Sequence, residues 1–120
     1  MIRGALLGSP VSHSLGPVLH NAAFAFLNID GSFDAFDVPA GELSSFLASE
    51  GDGFDYFSVT MPLKEEALTL GISADARTNL TQSGNTLYRR NDRWNLTSTD
   101  GVGLVSALFN AGYYEFGKVL

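Results

Sequence analysis

The residue of this chain best placed for chemistry is Lys64, which stands where an apolar strand passes into a helix. Residues 57–67 read Phe-Ser-Val-Thr-Met-Pro-Leu-Lys-Glu-Glu-Ala. Pro62 has no backbone N–H, so it ends strand pairing and can open a helical turn. Thr60 and Lys64 therefore follow the carboxyl end of a strand, where open α/β sheets bind their ligands. On this segment alone, a surface lysine in a first helical turn is the simpler interpretation and a site lysine is the alternative.

Two loops that lead from a strand into a helix carry hydroxyl and carboxylate groups. The first, residues 8–17, contains Ser12 and His13, and the free N–H groups at a helix start can hold an anion. The second, residues 95–103, contains Asp100, which the helix dipole and the free N–H groups would keep ionised. A purely structural role is the alternative for each of these residues. Ser12 and Asp100 could be N-caps, and His13 could be a packed or capping imidazole.

A third segment offers one amide side chain that could contact a ligand. Asn85 follows Gly84 at the start of a strand, and it could either orient hydroxyl groups or serve as a turn residue.

Gly101 and Gly103 have the spacing that opens a dinucleotide-binding fingerprint, but Ser106 stands where the third glycine belongs. A G-x-G pair alone is a weak signal, so we predict no cofactor-binding residue in this chain.

Composition predicts one compact globular domain and excludes several kinds of site. The chain has 120 residues, 45% hydrophobic and 17% charged, which suffices for one core. Its formal charge of −6 argues against a nucleic-acid-binding face, although three arginines cluster near residues 89–93. There is no cysteine, and His13 and His20 lack matching carboxylate ligands, so we predict no metal site. No apolar run suits a signal peptide or a membrane span, so we expect a cytoplasmic protein without a membrane partner.

Apolar stretches with strand character alternate with helical stretches, several of which begin at prolines. Strands are expected at 2–7, 33–38, 54–60, 85–90 and 93–97, and helices at 18–27, from Pro39 to about 50, at 63–70, at 75–80 and from Asp100 to about 111. This alternation predicts an α/β fold, a three-layer αβα sandwich whose mostly parallel sheet contains one antiparallel strand from the 85–97 hairpin. Residues 1–116 would form this domain. Residues 117–120 read as the start of a further buried strand and so of a second, truncated domain.

Four motifs, taken in their order along the chain, resemble the substrate-binding domain of the shikimate dehydrogenase family. The family pattern is G-x-P-x-x-H-S-x-S-P-x-x-H-N, then N-V-T-x-P-x-K, then G-x-x-N-T or a near variant, then N-T-D-G-x-G. Here the motifs stand at residues 8–21, 58–64, 83–86 and 98–103. The resemblance covers nearly the whole chain. It implies an NADP-dependent dehydrogenase of aromatic amino acid biosynthesis, with NADP bound by a C-terminal domain that begins at about residue 117.

The resemblance implies roles for five residues toward a small-molecule substrate, shikimate or 3-dehydroshikimate. Ser14 would hold the substrate carboxylate, and Thr60 and Asn85 would contact the carboxylate or the ring hydroxyls. Lys64 and Asp100 would form the catalytic pair, in which Lys64 takes or returns the hydroxyl proton while hydride passes to NADP, and Asp100 orients Lys64. We expect their charged groups to lie within about 6 Å of each other, the range over which opposite charges shift a pKa. This fragment alone is expected to be inactive.

Three departures from the family pattern keep other functions open. Gly16 stands where the family has its second serine, and Ser58 and Ser98 stand where it has asparagines. Losing one hydrogen bond to a carboxylate costs about 1.5–3 kcal/mol, or about tenfold to a hundredfold in affinity. Quinate or an aminated analogue of shikimate is therefore an alternative ligand, and a paralogue that binds without turnover is an alternative function. A structural module that forms a homodimer through its sheet edge is the third alternative.

Overall fold

A computed structural model describes residues 1–115, and the predicted second domain at 117–120 lies outside this range. The strands are β1 (Ile2–Gly8), β2 (Gly31–Asp37), β3 (Tyr56–Val59), β4 (Ser73–Ala74), β5 (Thr86–Arg90) and β6 (Arg93–Thr97). The α-helices are α1 (Gly16–Phe26), α2 (Leu43–Glu50), α3 (Leu63–Glu66), α4 (Ala76–Thr81) and α5 (Asp100–Asn110), and Gly51–Gly53 and Ala67–Leu70 are short 3₁₀ helices. None of the helices within residues 1–115 has the length and apolar character needed to cross a bilayer.

The six strands form one sheet in the order β2-β1-β3-β5-β6-β4. β1 runs parallel to β2 and β3, and β4 runs parallel to β6. β5 is antiparallel to both of its neighbours, β3 and β6. All the described strands except β5 therefore point the same way, which confirms the predicted mostly parallel sheet with one antiparallel strand.

The sheet is covered on both faces, and the alternation of side chains along β1 shows how. Ala5 and Leu7 are fully buried in the main core, which also contains Leu43 of α2 and Leu63 of α3. Leu6 points to the opposite face, into a smaller cluster with Phe33 of β2, against which Phe24 of α1 packs. Successive residues of a strand face opposite sides, so the stretch 5–7 of β1 is apolar because both sides are covered there.

Polar contacts with the sheet fix the position of α1, and with it the end of the loop that leads from β1 into this helix. The amide of Asn21 donates to the carbonyl of Phe33 at 2.8 Å and accepts from the N–H of Phe33 at 2.9 Å. His20 stacks on the ring of Phe33, with 3.9 Å between ring centroids, and its Nδ1 lies 2.8 Å from the Tyr56 hydroxyl. Burial lowers the pKa of His20 and raises that of Tyr56, so both groups are favoured in their neutral forms.

The second helix begins later than the sequence predicts. The sequence places its start at Pro39, but α2 begins at Leu43, because Gly41 adopts a positive φ of 86° that no helical residue can take. The carboxylate of Glu66 closes this turn from α3, since it accepts hydrogen bonds from the N–H groups of Gly41 and Leu43. Glu66 thus satisfies backbone donors that the start of a helix otherwise leaves free.

Replacing Glu66 by alanine is expected to lower the free energy of unfolding by about 1.5–3 kcal/mol, the range for hydrogen bonds to a charged group. Chemical denaturation of the purified chain measures this loss. Glu65, the exposed neighbour on α3, provides the control, and its replacement by alanine should change stability by less than about 0.5 kcal/mol. Equal losses of stability for the two variants would show that the hydrogen bonds from Gly41 and Leu43 to Glu66 do not stabilise the chain.

Candidate active site

The five residues singled out in the sequence lie at the carboxyl end of the parallel strands. Lys64 in α3 and Asp100 at the start of α5 form an ion pair, with Nζ of Lys64 2.7 Å from Oδ2 of Asp100. Their separation is well inside the expected 6 Å. The side chains are 33% and 51% exposed, so the pair is open to a ligand or to water.

The surroundings of Asp100 keep its carboxyl group ionised. The hydrogen bond from Lys64 lowers the pKa of Asp100 below the usual 3.8, and the charge of Lys64 and a hydrogen bond from Asn85 act in the same direction against partial desolvation. Asp100 is therefore a carboxylate at neutral pH, and it holds the ammonium group of Lys64 in one place.

Asn85 is the residue that fixes the carboxylate of Asp100. Its Nδ2 donates to Oδ1 of Asp100 at 3.0 Å and to Oγ1 of Thr99 at 2.8 Å. Its Oδ1 accepts from the N–H of Thr99 at 3.1 Å and from the Thr86 hydroxyl at 2.9 Å. With both ends of the amide engaged, its orientation is determined, and the simple turn role does not account for these contacts.

Asp100 does not act as an N-cap, which corrects one of the structural interpretations of the sequence. The N-cap of α5 is Thr99, no side chain caps this helix end, and Asp100 is the first helical residue. Because the Asp100 carboxylate is bound by Lys64 and Asn85 from other segments, it is not free to turn back onto its own helix.

Backbone hydrogen bonds join the three segments that carry these side chains. The N–H of Gly84 donates to the carbonyl of Lys64 at 2.9 Å, and the N–H of Val59 donates to the carbonyl of Asn85 at 2.7 Å. The N–H of Asn85 donates to the carbonyl of Thr97 at 3.0 Å. The antiparallel β5 therefore begins where β3 and β6 end, which brings distant parts of the sequence to one edge of the sheet.

Ser14 and Thr60 lie around the adjoining part of this edge. A cavity of about 410 Å³ is lined by Leu6, Ser9, Pro10, His13, Ser14, Thr60 and Met61. A second cavity of about 380 Å³ is lined by Thr60, Met61, Pro62, Lys64, Glu65 and Ser83. Thr60 and Met61 border both cavities, so the cavity beside Ser14 adjoins the cavity beside Lys64. A larger cavity of about 760 Å³ lies at the Arg90–Arg93 hairpin, at the other end of β5 and β6, and none of the five residues borders it.

The structure thus brings Lys64 and Asn85 into direct contact with Asp100, and it places Thr60 on the border of both cavities. Ser14 accepts a hydrogen bond from the N–H of Gly16 at 3.1 Å at the start of α1, and it borders only the first cavity. The catalytic and binding roles of these residues stay predictions.

Sequence reasoning missed two residues that the structure adds to the site. Thr99 bonds Asn85 through both its N–H and its hydroxyl, and the run of hydroxyl residues before Asp100 was the available signal. His13 is exposed and borders the cavity beside Ser14, whereas the sequence favoured a packed or capping imidazole.

The residues of this site do not fit a dinucleotide. Gly101 and Gly103 lie inside α5 rather than in a turn between strand and helix, and the space around both is open. A phosphate cradle needs backbone N–H groups converging on the anion from such a turn. We therefore assign no residue in the described part of the chain to a nucleotide. Within residues 1–115, no group of three or more His, Asp or Glu residues is arranged to hold a metal ion.

Comparison with known proteins gives one consistent result. Residues 6–87 match the model of the shikimate dehydrogenase substrate-binding domain. A curated relative, shikimate dehydrogenase (NADP(+)) of Hyphomonas neptunium, is 40% identical over 99 residues, which cover 82% of this chain and 37% of the relative. The relative of the same name from an Exiguobacterium species is 37% identical over 119 residues, which cover 97% of this chain and 44% of the relative.

Solved structures show the same similarity in three dimensions. Shikimate 5-dehydrogenase of Thermus thermophilus, in complex with NADP(H) and shikimate, superposes with a TM-score of 0.87 at 34% identity. The match covers 93% of this chain and 43% of that protein. The enzyme of Listeria monocytogenes, in complex with shikimate and NAD, gives a TM-score of 0.89 at 29% identity over 98% of this chain and 41% of that protein. The chain spans about two fifths of the length of the relatives it matches.

Proposed function

Because the chain belongs to the shikimate dehydrogenase family as a substrate-binding domain, we propose that it binds the ring acid in an NADP-dependent shikimate dehydrogenase. The proposed reaction is the reversible reduction of 3-dehydroshikimate to shikimate, a step of aromatic amino acid biosynthesis in the cytoplasm. The observation that carries this proposal is the Lys64–Asp100 ion pair at 2.7 Å, beside a cavity that adjoins the one lined by Ser14.

The proposed chemistry of this chain is proton transfer at the reacting oxygen. NADP supplies or accepts the hydride, and we place its binding site outside the described residues. In the direction of ketone reduction, the Lys64 ammonium donates a proton to the oxygen that becomes the hydroxyl group and is left as the neutral amine. In the oxidation, the neutral amine of Lys64 accepts the proton from that hydroxyl group and becomes the ammonium again. Asp100 holds the Lys64 ammonium group in position through their ion pair, and Asn85 orients the carboxylate of Asp100.

The proposed position of the ring follows from the two adjoining cavities. The carboxylate of the acid would lie near Ser14, and the hydroxyl group that reacts would lie near Lys64, with Thr60 between them. Fixing both ends of the substrate in this way holds the reacting oxygen against the proton donor, and such positioning supplies a large part of catalysis.

Gly16 supports a second candidate ligand. A Cβ built on Gly16 would lie 3.3 Å from the Ser14 hydroxyl, so a serine here, as in the family pattern, would place a second hydroxyl beside Ser14. Without that group the carboxylate loses a donor, and the ring acid has more room. Quinate and an aminated analogue of shikimate are therefore proposed as alternatives to shikimate, and a paralogue that binds without turnover is the alternative to an enzyme.

Titration calorimetry of the purified 120-residue chain tests the binding proposal. We expect millimolar or tighter binding of shikimate or quinate and no binding of NADP at comparable concentrations, because the described residues carry no nucleotide cradle. A chain that binds neither ring acid, or that binds NADP tightly by itself, would contradict the assignment. Comparing shikimate with quinate on the same sample separates the two candidate ligands.

A further inference from the structure

The cavity beside Ser14 is short of positive charge. Of the described residues that line it, His13 alone can carry a charge, and the others are apolar side chains or hydroxyl groups. Lys64 borders the adjoining cavity, where Asp100 already neutralises its ammonium group. A carboxylate placed beside Ser14 therefore meets a cation in this cavity only if His13 is protonated.

We propose that the protonated imidazole of His13 binds the carboxylate of the ring acid beside Ser14, so that this chain binds its ligand more tightly in mild acid. The inference rests on the proposed function, since it takes a ring carboxylate as the ligand. It adds a specificity-determining residue, since histidine is the side-chain type that ordinarily changes charge between about pH 5 and 8.

Gly16 makes this contribution of His13 larger in this chain. The hydroxyl of Ser14 accepts the N–H of Gly16 at 3.1 Å, so its own proton stays available for the ligand. Gly16 itself offers no side-chain donor. The hydroxyl groups of Ser9, Ser14 and Thr60 are then the neutral side-chain donors among the described residues that line this cavity. A charged donor such as an imidazolium forms a stronger hydrogen bond than a hydroxyl group does.

Apart from His20, the ionisable groups near His13 are carboxylates and one ammonium group. Residues 8–17 contain no acid or base besides His13, and His20 of α1 is engaged with Tyr56. Asp37 ends β2 opposite Gly8 in register. Lys64 and Glu65 line the adjoining cavity, and Asp100 pairs with Lys64. Carboxylates and ammonium groups ordinarily titrate below about pH 5 or above about pH 10, outside this range.

Calorimetry of the full chain with shikimate at about pH 5.5 and about pH 8 tests the proposal. We expect about tenfold tighter binding at the lower pH, the effect of one charge-assisted hydrogen bond. Binding near pH 7, compared in buffers of different ionisation enthalpy, should take up a fraction of one proton. The variant His13→Gln keeps a hydrogen-bond donor but cannot carry a charge. It should bind as weakly at both pH values as the original chain does at about pH 8, without proton uptake.

Two controls decide between a local charge effect and a general effect of pH. The methyl ester of shikimate lacks the negative charge, so its weaker binding should be independent of pH in both proteins. Thermal unfolding at both pH values shows whether His13→Gln is folded, which we expect because the side chain is exposed.

Each remaining outcome overturns a stated part of the argument. If His13→Gln keeps the pH dependence or the proton uptake, the role of His13 is wrong while ring-acid binding, and with it the proposed function, stands. If the methyl ester shows the same pH dependence as the acid, the carboxylate contact is wrong. If neither shikimate, 3-dehydroshikimate nor quinate binds at either pH, both this inference and the proposed function fail.

Discussion

Replacement of Lys64 by methionine is expected to reduce turnover about a hundredfold to ten-thousandfold, the usual contribution of a positioned acid or base. Methionine keeps much of the length of the side chain but cannot transfer a proton. Because Lys64 is one third exposed, the variant should fold, and its affinity for the ring acid should fall much less than its turnover. Turnover can be measured in a chimera that joins residues 1–115 to the remaining part of the Thermus thermophilus relative, of which this chain covers 43%.

Glu65→Gln is the matched control, because Glu65 neighbours Lys64 on α3 and borders the same cavity but takes no part in the ion pair between Lys64 and Asp100. It should leave turnover within about twofold of the original, as expected for a surface substitution. Loss of turnover in Glu65→Gln, or its retention in Lys64→Met, would rule out Lys64 as the group that transfers the proton.

The partner residue gives an independent check on the same pair. If Asp100 acts by aiming Lys64, then Asp100→Asn should lower turnover, and adding it to Lys64→Met should cause little further loss. Additive losses would mean that Asp100 acts on the substrate separately. The 2.7 Å contact and the lowered pKa of Asp100 favour the first outcome.

The fold was largely predictable because its signals are local. Prolines near the helix starts, apolar strands and the Asn91–Asp92 turn, where both residues adopt a positive φ, each act within a few residues. The two-residue strand β4 was not predictable, since it has no length over which a pattern can repeat, and it exists because it pairs with β6. The sequence placed the start of α2 too early, because the turn before this helix is held by a distant residue. Gly41 has a positive φ, and its N–H donates to the carboxylate of Glu66, twenty-five residues away.

The site was predictable to a lesser degree. From the residues alone, an N-cap is the preferred interpretation of Asp100, and a turn role explains Asn85 as well as a site role does, because each segment by itself satisfies a local rule. Only the sheet order, which places the start of β5 between the ends of β3 and β6, shows that both side chains meet at one site with Lys64. The family resemblance predicted that these side chains meet at one site. It predicted neither the contacts of Thr99 with Asn85 nor the exposure of His13.

A second large effect is expected at Gly84, which lies under the site and is buried. A Cβ built on Gly84 would lie 2.4–2.6 Å from three side-chain carbons of Leu96, a core residue that is 1% exposed. Because the packed core prevents Leu96 from moving away, Gly84→Ala should lower the free energy of unfolding by about 1–3 kcal/mol. Urea denaturation measures the loss. Since the N–H of Gly84 bonds the carbonyl of Lys64 and Asn85 follows it directly, ring-acid affinity should fall as well.

A double-mutant cycle with Leu96 shows whether this clash is the cause. Leu96→Ala alone should cost about 2–5 kcal/mol through the cavity that it leaves. In the combined variant the new methyl group at residue 84 enters that cavity, so the total loss should be smaller than the sum of the two single losses by about 0.5–3 kcal/mol. Gly103→Ala is the control, because Gly103 lies inside α5 with open space around it, and alanine there should stabilise the chain by about 0.5–1 kcal/mol. Strictly additive losses at residues 84 and 96 would show that Gly84 is required for its backbone and not for the space that it leaves to Leu96.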